Sequence, residues 1–274
     1  MMDKTPRLLV LGAHPDDADA HAGGLIARYR KLGHAVKMVS VTDGAAGHHQ
    51  IGADALAAVR REEAAAAGRV VGAAYEVWDF PDGHLVNTLD LRHRIIAEIR
   101  HFAPDLVLTH RTCDYHPDHR AVGEAVQDAT FLVRVPKVVA EVPMLRAEPV
   151  VAFLPDLFSR PYPLSADVIV DVTNELDTIV AMLACHRSQV FEWLAWLDGR
   201  LDEVPGDEPG RRAWVRQWFA RYLRMRLDRF RKQFEAAYGP CPCDRLCAIE
   251  VFEISEYGAS LDAAARKRLF PLVP

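Results

Sequence analysis

The sequence predicts an α/β fold in which a doubly wound, mostly parallel sheet is followed by a C-terminal helical extension. Short, continuous apolar runs, such as RLLVLG at 7–12, are typical of strands that are buried on both faces of a sheet. Segments with helical periodicity separate these runs, and a helix between two strands is the usual crossover that joins parallel neighbours. The strict alternation in the first half of the chain therefore predicts a Rossmann-like core.

The individual elements follow from the same pattern. In the first half, the apolar runs predict strands at 7–12, 35–42, 74–79 and 105–110. The segments between them predict helices at 20–32, 55–71 and 88–102. In the less regular second half, the pattern predicts strands at 149–154, 167–172 and 247–254 and a long helix at 212–237.

Two loops of the second half are also predicted. The Pro-rich segment 154–165 is too long for a simple turn, so we expect it to be a lid or a wall of a substrate site. Segment 198–211 is expected to be a mobile surface loop. We expect one domain over 1–274, in which 1–135 form the Rossmann-like core with the functional site and 136–274 supply substrate loops, further strands and the long helix.

Composition and charge exclude several classes of protein. With 50% hydrophobic and 26% charged residues, the chain is typical of a globular protein rather than a disordered or fibrous one. A net charge of −5 gives no general attraction to polyanions, so nucleic acid is not an expected partner. The first apolar run is far shorter than the roughly 18 residues that cross a bilayer, and it has no cleavable leader character. We therefore expect no membrane span and a cytoplasmic location.

The cysteines and the long helix each have a simple interpretation. Five cysteines are an odd and sparse set, so we expect reduced thiols, including the three in CPCDRLC at 241–247, which lack an obvious fourth ligand for a structural zinc. In the helix at 212–237, apolar residues recur with helical spacing beside many arginines, which predicts a core-facing stripe and a solvated cationic face. Part of that stripe could pack against a second copy of the chain, so a homo-oligomer stays open.

The predicted strand order brings two unusual loops together. In the common order 3-2-1-4, the strands at 7–12 and 105–110 are neighbours, and ligands of open α/β sheets bind beyond the carboxyl ends of the strands at such a switch point. The segment GAHPDDADAHAGG follows the first of these strands, and RTCDYHPDH follows the other shortly afterwards. We therefore expect the two His- and Asp-rich loops to face each other.

These loops contain the residues of a metal site. Adjacent carboxylates repel each other unless a cation lies beside them. His14, Asp17 and His119 would supply the three ligands of a catalytic zinc that keeps one position open for water. Asp16 would then act as general base on that water, and His116 would stabilise the oxyanion or protonate the leaving amine. The expected cofactor is Zn²⁺, with Fe²⁺ as the alternative.

Each of the two strings also has a structural explanation by itself. HPDD could be a turn whose aspartate caps the helix at 20, and HPDH could be the start of another helix. Their occurrence at the ends of two adjacent strands favours the metal site over both explanations.

Further motifs extend the pattern along most of the chain. They are GAHPDD (12–17), Gly23-Gly24, VTDG (41–44), RREEA (60–64), FPDG (80–83), HPDH (116–119), HRSQ (186–189) and FEISEYG (252–258). This set resembles the LmbE-like, PIG-L superfamily of zinc-dependent N-acetylglucosaminyl deacetylases. The resemblance implies a metal-dependent hydrolase that removes an acetyl group from the amide nitrogen of a small, N-acetylated, amino-sugar-like substrate. It implies the same roles for His14, Asp17, His119, Asp16 and His116.

The chain departs from the family pattern at one position. The usual string is AHPDDE, whereas Ala18 occupies the acidic position here and Asp19 follows it. This departure puts the identity of the substrate in doubt rather than the metal. By the resemblance, Arg60 and Asp82 are the substrate-binding residues, although Arg60 could equally pair with Glu63 on a helix surface.

Two other functions remain open at this point. A non-catalytic sugar-binding protein that kept the fold would be compatible with Ala18. Two histidines and one carboxylate also form the facial triad of non-haem Fe(II) oxygenases, but those sites usually occupy β-sandwich scaffolds, and Asp16 would have no role in oxygen activation. In HRSQ, we expect His186 and Gln189 to be structural residues of a helix.

Overall fold

The computed structural model describes residues 5–242, 246–271 and 273, and within these ranges it contains one seven-stranded sheet flanked by helices. The strands are β1 (Arg7–Gly12), β2 (Ala35–Thr42), β3 (Ala74–Phe80), β4 (Leu106–Thr109), β5 (Val150–Phe153), β6 (Val168–Asp171) and β7 (Ile249–Ile254). The α-helices are α1 (Asp17–Lys31), α2 (Ala53–Val71), α3 (Leu89–Phe102), α4 (Pro117–Leu132), α5 (Leu176–Leu183), α6 (Leu194–Leu197), α7 (Glu208–Tyr238) and α8 (Ala263–Leu269). Among the described helices, none is long and apolar enough to cross a membrane.

The strand order is β3-β2-β1-β4-β5-β7-β6, which confirms the predicted 3-2-1-4 arrangement of the first four strands. The pairs from β3 to β5 are parallel, whereas β7 runs antiparallel to both β5 and β6. The predicted mostly parallel, doubly wound α/β fold is therefore confirmed. The C-terminal strand β7 enters between two earlier strands and so ties the second half of the chain to the core.

The core lies on both faces of the sheet because the central strand β1 is continuously apolar over residues 8–11. Leu8 and Val10 pack into one layer with α1 and α5, whereas Leu9 and Leu11 pack into the other layer with α3 and α4. All four side chains have 0% exposure, as expected for a strand that is covered on both faces. A third cluster joins α7 to β6 and β7.

The structure differs from the sequence predictions in the second half. Helix α7 begins at Glu208, inside the predicted loop 198–211, because the Asp207 side chain accepts a hydrogen bond from the Gly210 amide and caps the helix. The same predicted loop also contains a short 3₁₀ turn at Leu201–Glu203. The exposed segment therefore ends several residues earlier than predicted.

The prediction that all cysteines are reduced is also wrong for one pair. Cys241 and Cys247 form a disulfide across six positions of the chain, so two thiols of the CPCDRLC segment are joined. Cys113 and Cys185 are free thiols, as predicted. Cys243 lies outside the described residues.

Two buried charged residues from the second half contact α1. The Glu250 carboxylate accepts hydrogen bonds from the Gly24 and Leu25 amides at 2.6 and 2.9 Å. The fully buried Arg226 guanidinium of α7 donates to the Ala20 carbonyl of α1 at 3.3 Å. It also donates to the Ile249 carbonyl at 3.0 Å. These contacts hold α1, whose first turn carries Asp17 and Asp19, against β7 and α7.

The close approach at Gly24 generates a stability prediction. A Cβ atom at Gly24 would lie 2.4 Å from Val172 and 3.0 Å from Glu250, whereas at the neighbouring Gly23 the nearest atom, in Ile179, would be 3.3 Å away. We expect Gly24→Ala to lower the free energy of unfolding by about 1–3 kcal/mol, the usual cost of overpacking. Gly23→Ala is the matched control on the same helix. Equal denaturation midpoints for the two variants would contradict this account.

Burial of Glu250 predicts a pH dependence of stability. Desolvation is the largest influence on this carboxyl and raises its pKa from 4.5 to about 7, although the two amide hydrogen bonds act in the opposite direction. The folded state therefore retains a proton that the unfolded state loses. This contribution to stability is complete below about pH 4.5 and is lost as the pH rises through about 7, by roughly 3 kcal/mol in total.

Urea unfolding at pH 5 and pH 8 tests this sign with Glu250→Gln as the comparison, because glutamine does not titrate. The unsubstituted protein should lose more stability than the variant between the two pH values. An equal loss in both proteins would show that Glu250 is not the titrating group.

Candidate active site

The two His- and Asp-rich loops meet at the carboxyl ends of β1 and β4, which are adjacent parallel strands. After β1 the chain turns sharply, with the Asp16 amide donating to the His14 carbonyl at 2.9 Å, and α1 begins at Asp17. After β4, His116 caps α4, whose first turn contains Asp118 and His119. The predicted juxtaposition of the loops is therefore present.

The structure brings His14, Asp17 and His119 into mutual contact. His14 Nδ1 lies 3.2 Å from His119 Nε2 and 3.6 Å from Asp17 Oδ2, and His119 Nε2 lies 3.7 Å from Asp17 Oδ1. Ligands about 2.1 Å from a tetrahedral zinc are separated by about 3.4 Å, so these separations fit such an ion. Two imidazole nitrogens and a carboxylate facing one point are also a suitable donor set for Fe²⁺.

Within the described residues, three overlapping groups of potential metal ligands converge here. They are His14 with His116 and His119, Asp17 with His110 and His119, and His14 with Asp82 and Asp118. The predicted set of His14, Asp17 and His119 takes its members from the first two of these groups. In each of its two histidines, the ring nitrogen that faces away from the set has a carboxylate partner.

The partners of these outward-facing nitrogens are three aspartates. His14 Nε2 lies 3.2 Å from Asp82 Oδ1 and 3.4 Å from Asp118 Oδ2, and His119 Nδ1 lies 3.1 Å from Asp114 Oδ1. The distance between His119 and Asp114 is that of an ion pair, although its angle is poor for a hydrogen bond. Carboxylates in this position fix the ring orientation and leave the opposite nitrogen as the ligand.

The adjacent aspartates point in different directions. Asp17 is 7% exposed, and its Oδ2 accepts from the His14 amide at 2.7 Å and lies 3.0 Å from His110 Nε2. The side chain of Asp16 is 24% exposed and lies 3.2 Å from the Arg60 guanidinium. One carboxylate therefore faces the histidines, while the other stays accessible beside a cation.

The charges of the site favour ionised carboxylates. Burial is the largest influence on Asp17 and opposes its charge, yet His110, His119 and His14 together hold its pKa well below the usual range. Burial likewise opposes the charge of Asp82, but contact with His14 lowers its pKa to about 2. Burial also disfavours the His14 cation, and the carboxylates of Asp118, Asp17 and Asp82 nevertheless raise its pKa well above the usual value.

His116 has a different environment from the other two site histidines. Its Nδ1 accepts a hydrogen bond from the Asp118 amide at 3.2 Å, so the neutral ring carries its proton on Nε2. Burial, followed by the nearby His14 and His119, lowers the pKa of His116. The ring lies edge-on to His14, with 4.5 Å between the ring centroids. His116 is therefore a neutral hydrogen-bond donor at this site.

Sequence reasoning missed three residues that contact the predicted ligands: His110, Asp114 and Asp118. His110 is 3% exposed and stacks on His119 with 3.8 Å between the ring centroids. The signal for His110 was its place as the residue directly after β4, and Asp114 and Asp118 belong to the DYHPDH string itself. Aspartates in such a string are difficult to assign because a helix start also favours them.

Arg60 does not pair with Glu63 on a helix surface, so that alternative is wrong. Arg60 is 2% exposed and donates to the Pro15 carbonyl at 3.0 Å in addition to its contact with Asp16. Glu63 instead accepts from the amide and the hydroxyl of Ser188, both at 2.7 Å. Both residues of α2 face inward because the helix packs against the HRSQ segment.

The HRSQ segment connects three parts of the structure around the site. His186 Nε2 contacts Asp19 Oδ2 at 3.1 Å, and both side chains have 0% exposure. Gln189 donates to the Gly47 carbonyl at 3.0 Å. Together with the contact between Ser188 and Glu63, these bonds support the predicted structural role of the segment. Asp19 therefore faces His186. It does not replace the acidic residue that the family pattern has at position 18, where this chain has Ala18.

Asp82 is also at the site. Besides its contact with His14, its Oδ2 accepts from the Ala46 amide at 3.0 Å. The carboxylate therefore joins the loop after β2 to the His14 ring.

Comparison with known proteins gives one family match and several relatives. Residues 9–130, which contain both loops, match the family described as PIG-L: GlcNAc-PI de-N-acetylase. The 4-oxalmesaconate hydratase of Pseudomonas putida is 28% identical over 193 residues, covering 68% of this chain and 74% of that protein. The diacetylchitobiose deacetylase of Thermococcus kodakarensis is 25% identical over 201 residues, covering 69% of this chain and 73% of that protein.

A solved structure shows the same fold. The N,N'-diacetylchitobiose deacetylase from Pyrococcus horikoshii superposes with a TM-score of 0.71 at 20% identity and covers 93% of this chain and 85% of that one. At this identity the likeness shows the fold alone. The resemblance deduced from the sequence motifs is confirmed by the match of residues 9–130 to the PIG-L family.

Proposed function

We propose that this protein is a metal-dependent hydrolase that removes an acetyl group from the amide nitrogen of a small, amino-sugar-like substrate. The observation that carries the proposal is the convergence of His14, Asp17 and His119 within 3.7 Å, with the accessible Asp16 next to Asp17 in the chain. Similarity to deacetylases of N-acetylated sugars supports the same reaction.

His14, Asp17 and His119 would hold the metal, and Zn²⁺ suits these ligands best, with Fe²⁺ as the alternative. When bound, such an ion polarises the acyl oxygen and lowers the pKa of a water molecule. Asp17 Oδ2 accepts from the His14 amide at 2.7 Å, which fixes the carboxylate beside the two imidazoles. The carboxylates of Asp82, Asp114 and Asp118 keep the two imidazoles in position.

Asp16 is the proposed general base. It adjoins the ligand Asp17 in the chain but is directed away from it, toward the Arg60 guanidinium at 3.2 Å and toward solvent. An accessible carboxylate in the same loop as the proposed metal ligands can accept a proton from water. Arg60 has little exposed surface, so we propose that its main effect on the reaction is to position Asp16.

His116 is the proposed donor to the tetrahedral intermediate. Since Nδ1 is occupied by the Asp118 amide, the proton on Nε2 is available to a developing oxyanion or to the leaving amine. We further propose that Arg60 and Asp82 border the bound substrate. Asp82 lies between His14 and the loop after β2, and it would contact the substrate from that side.

A hydratase is the second candidate because 4-oxalmesaconate hydratase is among the relatives. Addition of water to a double bond also needs an activated water, so the ligands and Asp16 serve either reaction. The charges of the neighbouring side chains distinguish hydration from amide hydrolysis, because an anionic substrate of a hydratase needs unpaired cations near the site. Arg60 is paired with Asp16 at 3.2 Å and Arg111 with Asp156 at 2.9 Å. We therefore place hydrolysis of a neutral amide first.

Metal binding is the first test of this proposal. We expect the purified protein to bind one Zn²⁺ per chain, and His119→Ala to weaken binding by more than about 100-fold, since even loss of an outer partner of a ligand costs 10–100-fold. The control is His101→Ala, which removes an exposed imidazole at the end of α3, near the opposite edge of the sheet. Competition with a chromogenic chelator measures the affinity. Equal affinities for the two variants would refute the ligand assignment.

Turnover is the second test. The zinc-loaded protein should release acetate from at least one member of a panel of N-acetyl amino sugars and simple acetamides. Asp16→Ala should lower kcat by about 10²–10⁴-fold, the usual contribution of a general base, while metal content stays unchanged. Near-full activity of this variant would exclude Asp16 as the base.

The same panel separates the alternatives. The panel also includes unsaturated carboxylates. Loss of their ultraviolet absorbance would show that water has been added to the double bond. Binding of an N-acetyl compound without turnover would support a sugar-binding protein, and oxygen uptake with a 2-oxo acid would support an oxygenase.

A further inference from the structure

Two exposed aromatic rings stand directly beside the site histidines. The Tyr115 side chain is 67% exposed, and its ring centroid lies 5.6 Å from the centroids of both His116 and His119. Phe158 is 42% exposed and lies 5.7 Å from Tyr115. We propose that these two residues form an aromatic wall that binds the apolar face of a ring in the substrate. The inference rests on the proposed function, because it names the kind of molecule whose amide reaches the metal ligands.

The two residues of the wall come from different segments. Tyr115 belongs to the string between β4 and α4, directly before His116. Phe158 belongs to the Pro-rich segment 154–165, which the sequence predicted to be a lid or a substrate wall. Their contact therefore joins this segment to the loop that carries two of the proposed functional histidines.

The segment that carries Phe158 is fixed by a buried arginine. Asp156 accepts from the Phe158 amide at 2.9 Å and from the Arg111 guanidinium at 2.9 Å, and Arg111 is only 2% exposed. Arg111 also donates to the Tyr162 carbonyl at 2.9 Å and lies 4.8 Å from the centre of the Tyr162 ring. The wall thus has a rigid base, although its two rings face outward.

Exposed aromatic rings at a site have a definite binding preference. Large apolar side chains in contact with water are usual at binding surfaces, and aromatic rings gain most from a flat apolar partner. A sugar ring with its C–H face, or an aryl ring, offers such a partner, whereas a short acyclic amine does not. The position of the wall beside His116 and His119 places this ring next to the scissile amide. The expected substrate is therefore an acetamide whose nitrogen is attached to a ring.

The test measures binding separately from turnover. The probe is 4-nitrophenyl N-acetyl-β-D-glucosaminide, with N-acetylethanolamine as the acyclic comparison, and ligand-observed NMR gives Kd for the zinc-loaded protein. We expect Tyr115→Ala and Phe158→Ala each to raise Kd for the cyclic probe by about tenfold, as loss of one aromatic contact does. Binding of the acyclic compound should change little. Tyr115→Phe should behave like the unsubstituted protein, because the ring is kept.

The control variant is Tyr257→Ala, which removes a ring that is 65% exposed near the amino end of β5, away from the site. The wall would be refuted if Tyr115→Ala and Phe158→Ala matched this control, or if the unsubstituted protein did not bind the cyclic probe. Failure of the proposed function has a different signature. In that case the cyclic probe binds, the wall variants weaken it, and no acetate is released from any acetamide.

Discussion

The arrangement of the site depends on one buried carboxylate. Asp17 lies where β1 ends and α1 begins, and it contacts His14 from its own loop and both His110 and His119 from the neighbouring strand and helix. The three imidazoles around this carboxylate offset the cost of its burial, and its contacts join the two loops. Parallel pairing of β1 with β4 makes the contact geometrically available. The contacts of Asp17 therefore depend directly on the pairing of β1 with β4.

The second constraint is the direction of each ring. A metal-binding histidine almost always has its other nitrogen held by a partner, and in this structure the partners are carboxylates from two segments of the chain. Asp82 comes from the loop after β3, whereas Asp114 lies just before α4 and Asp118 lies in its first turn. The excess of acidic groups around the histidines is thus a property of the site itself.

The fold was largely predictable because its signals are local and periodic. β1 and β2 have the predicted limits, since continuous apolar runs identify buried strands well. The start of α7 was not predictable from hydrophobic spacing, because the Asp207 cap rather than an apolar residue begins that helix. The disulfide escaped because an odd number of cysteines leaves the pairing undetermined. The site role of His110 was missed because a histidine next to an apolar run does not show which residues lie across the sheet.

Helix α1 has a consequence for how the chain can be divided. Its first turn carries the aspartates, whereas its middle is held by Glu250 on β7 and by Arg226 on α7. The segment 9–130 by which the family is recognised therefore lacks the groups that hold its own first helix in place. A chain cut after that segment would expose polar backbone atoms and the surface of Gly24 that Val172 and Glu250 cover. The part of the sequence that is easiest to recognise is thus not a self-sufficient folding unit.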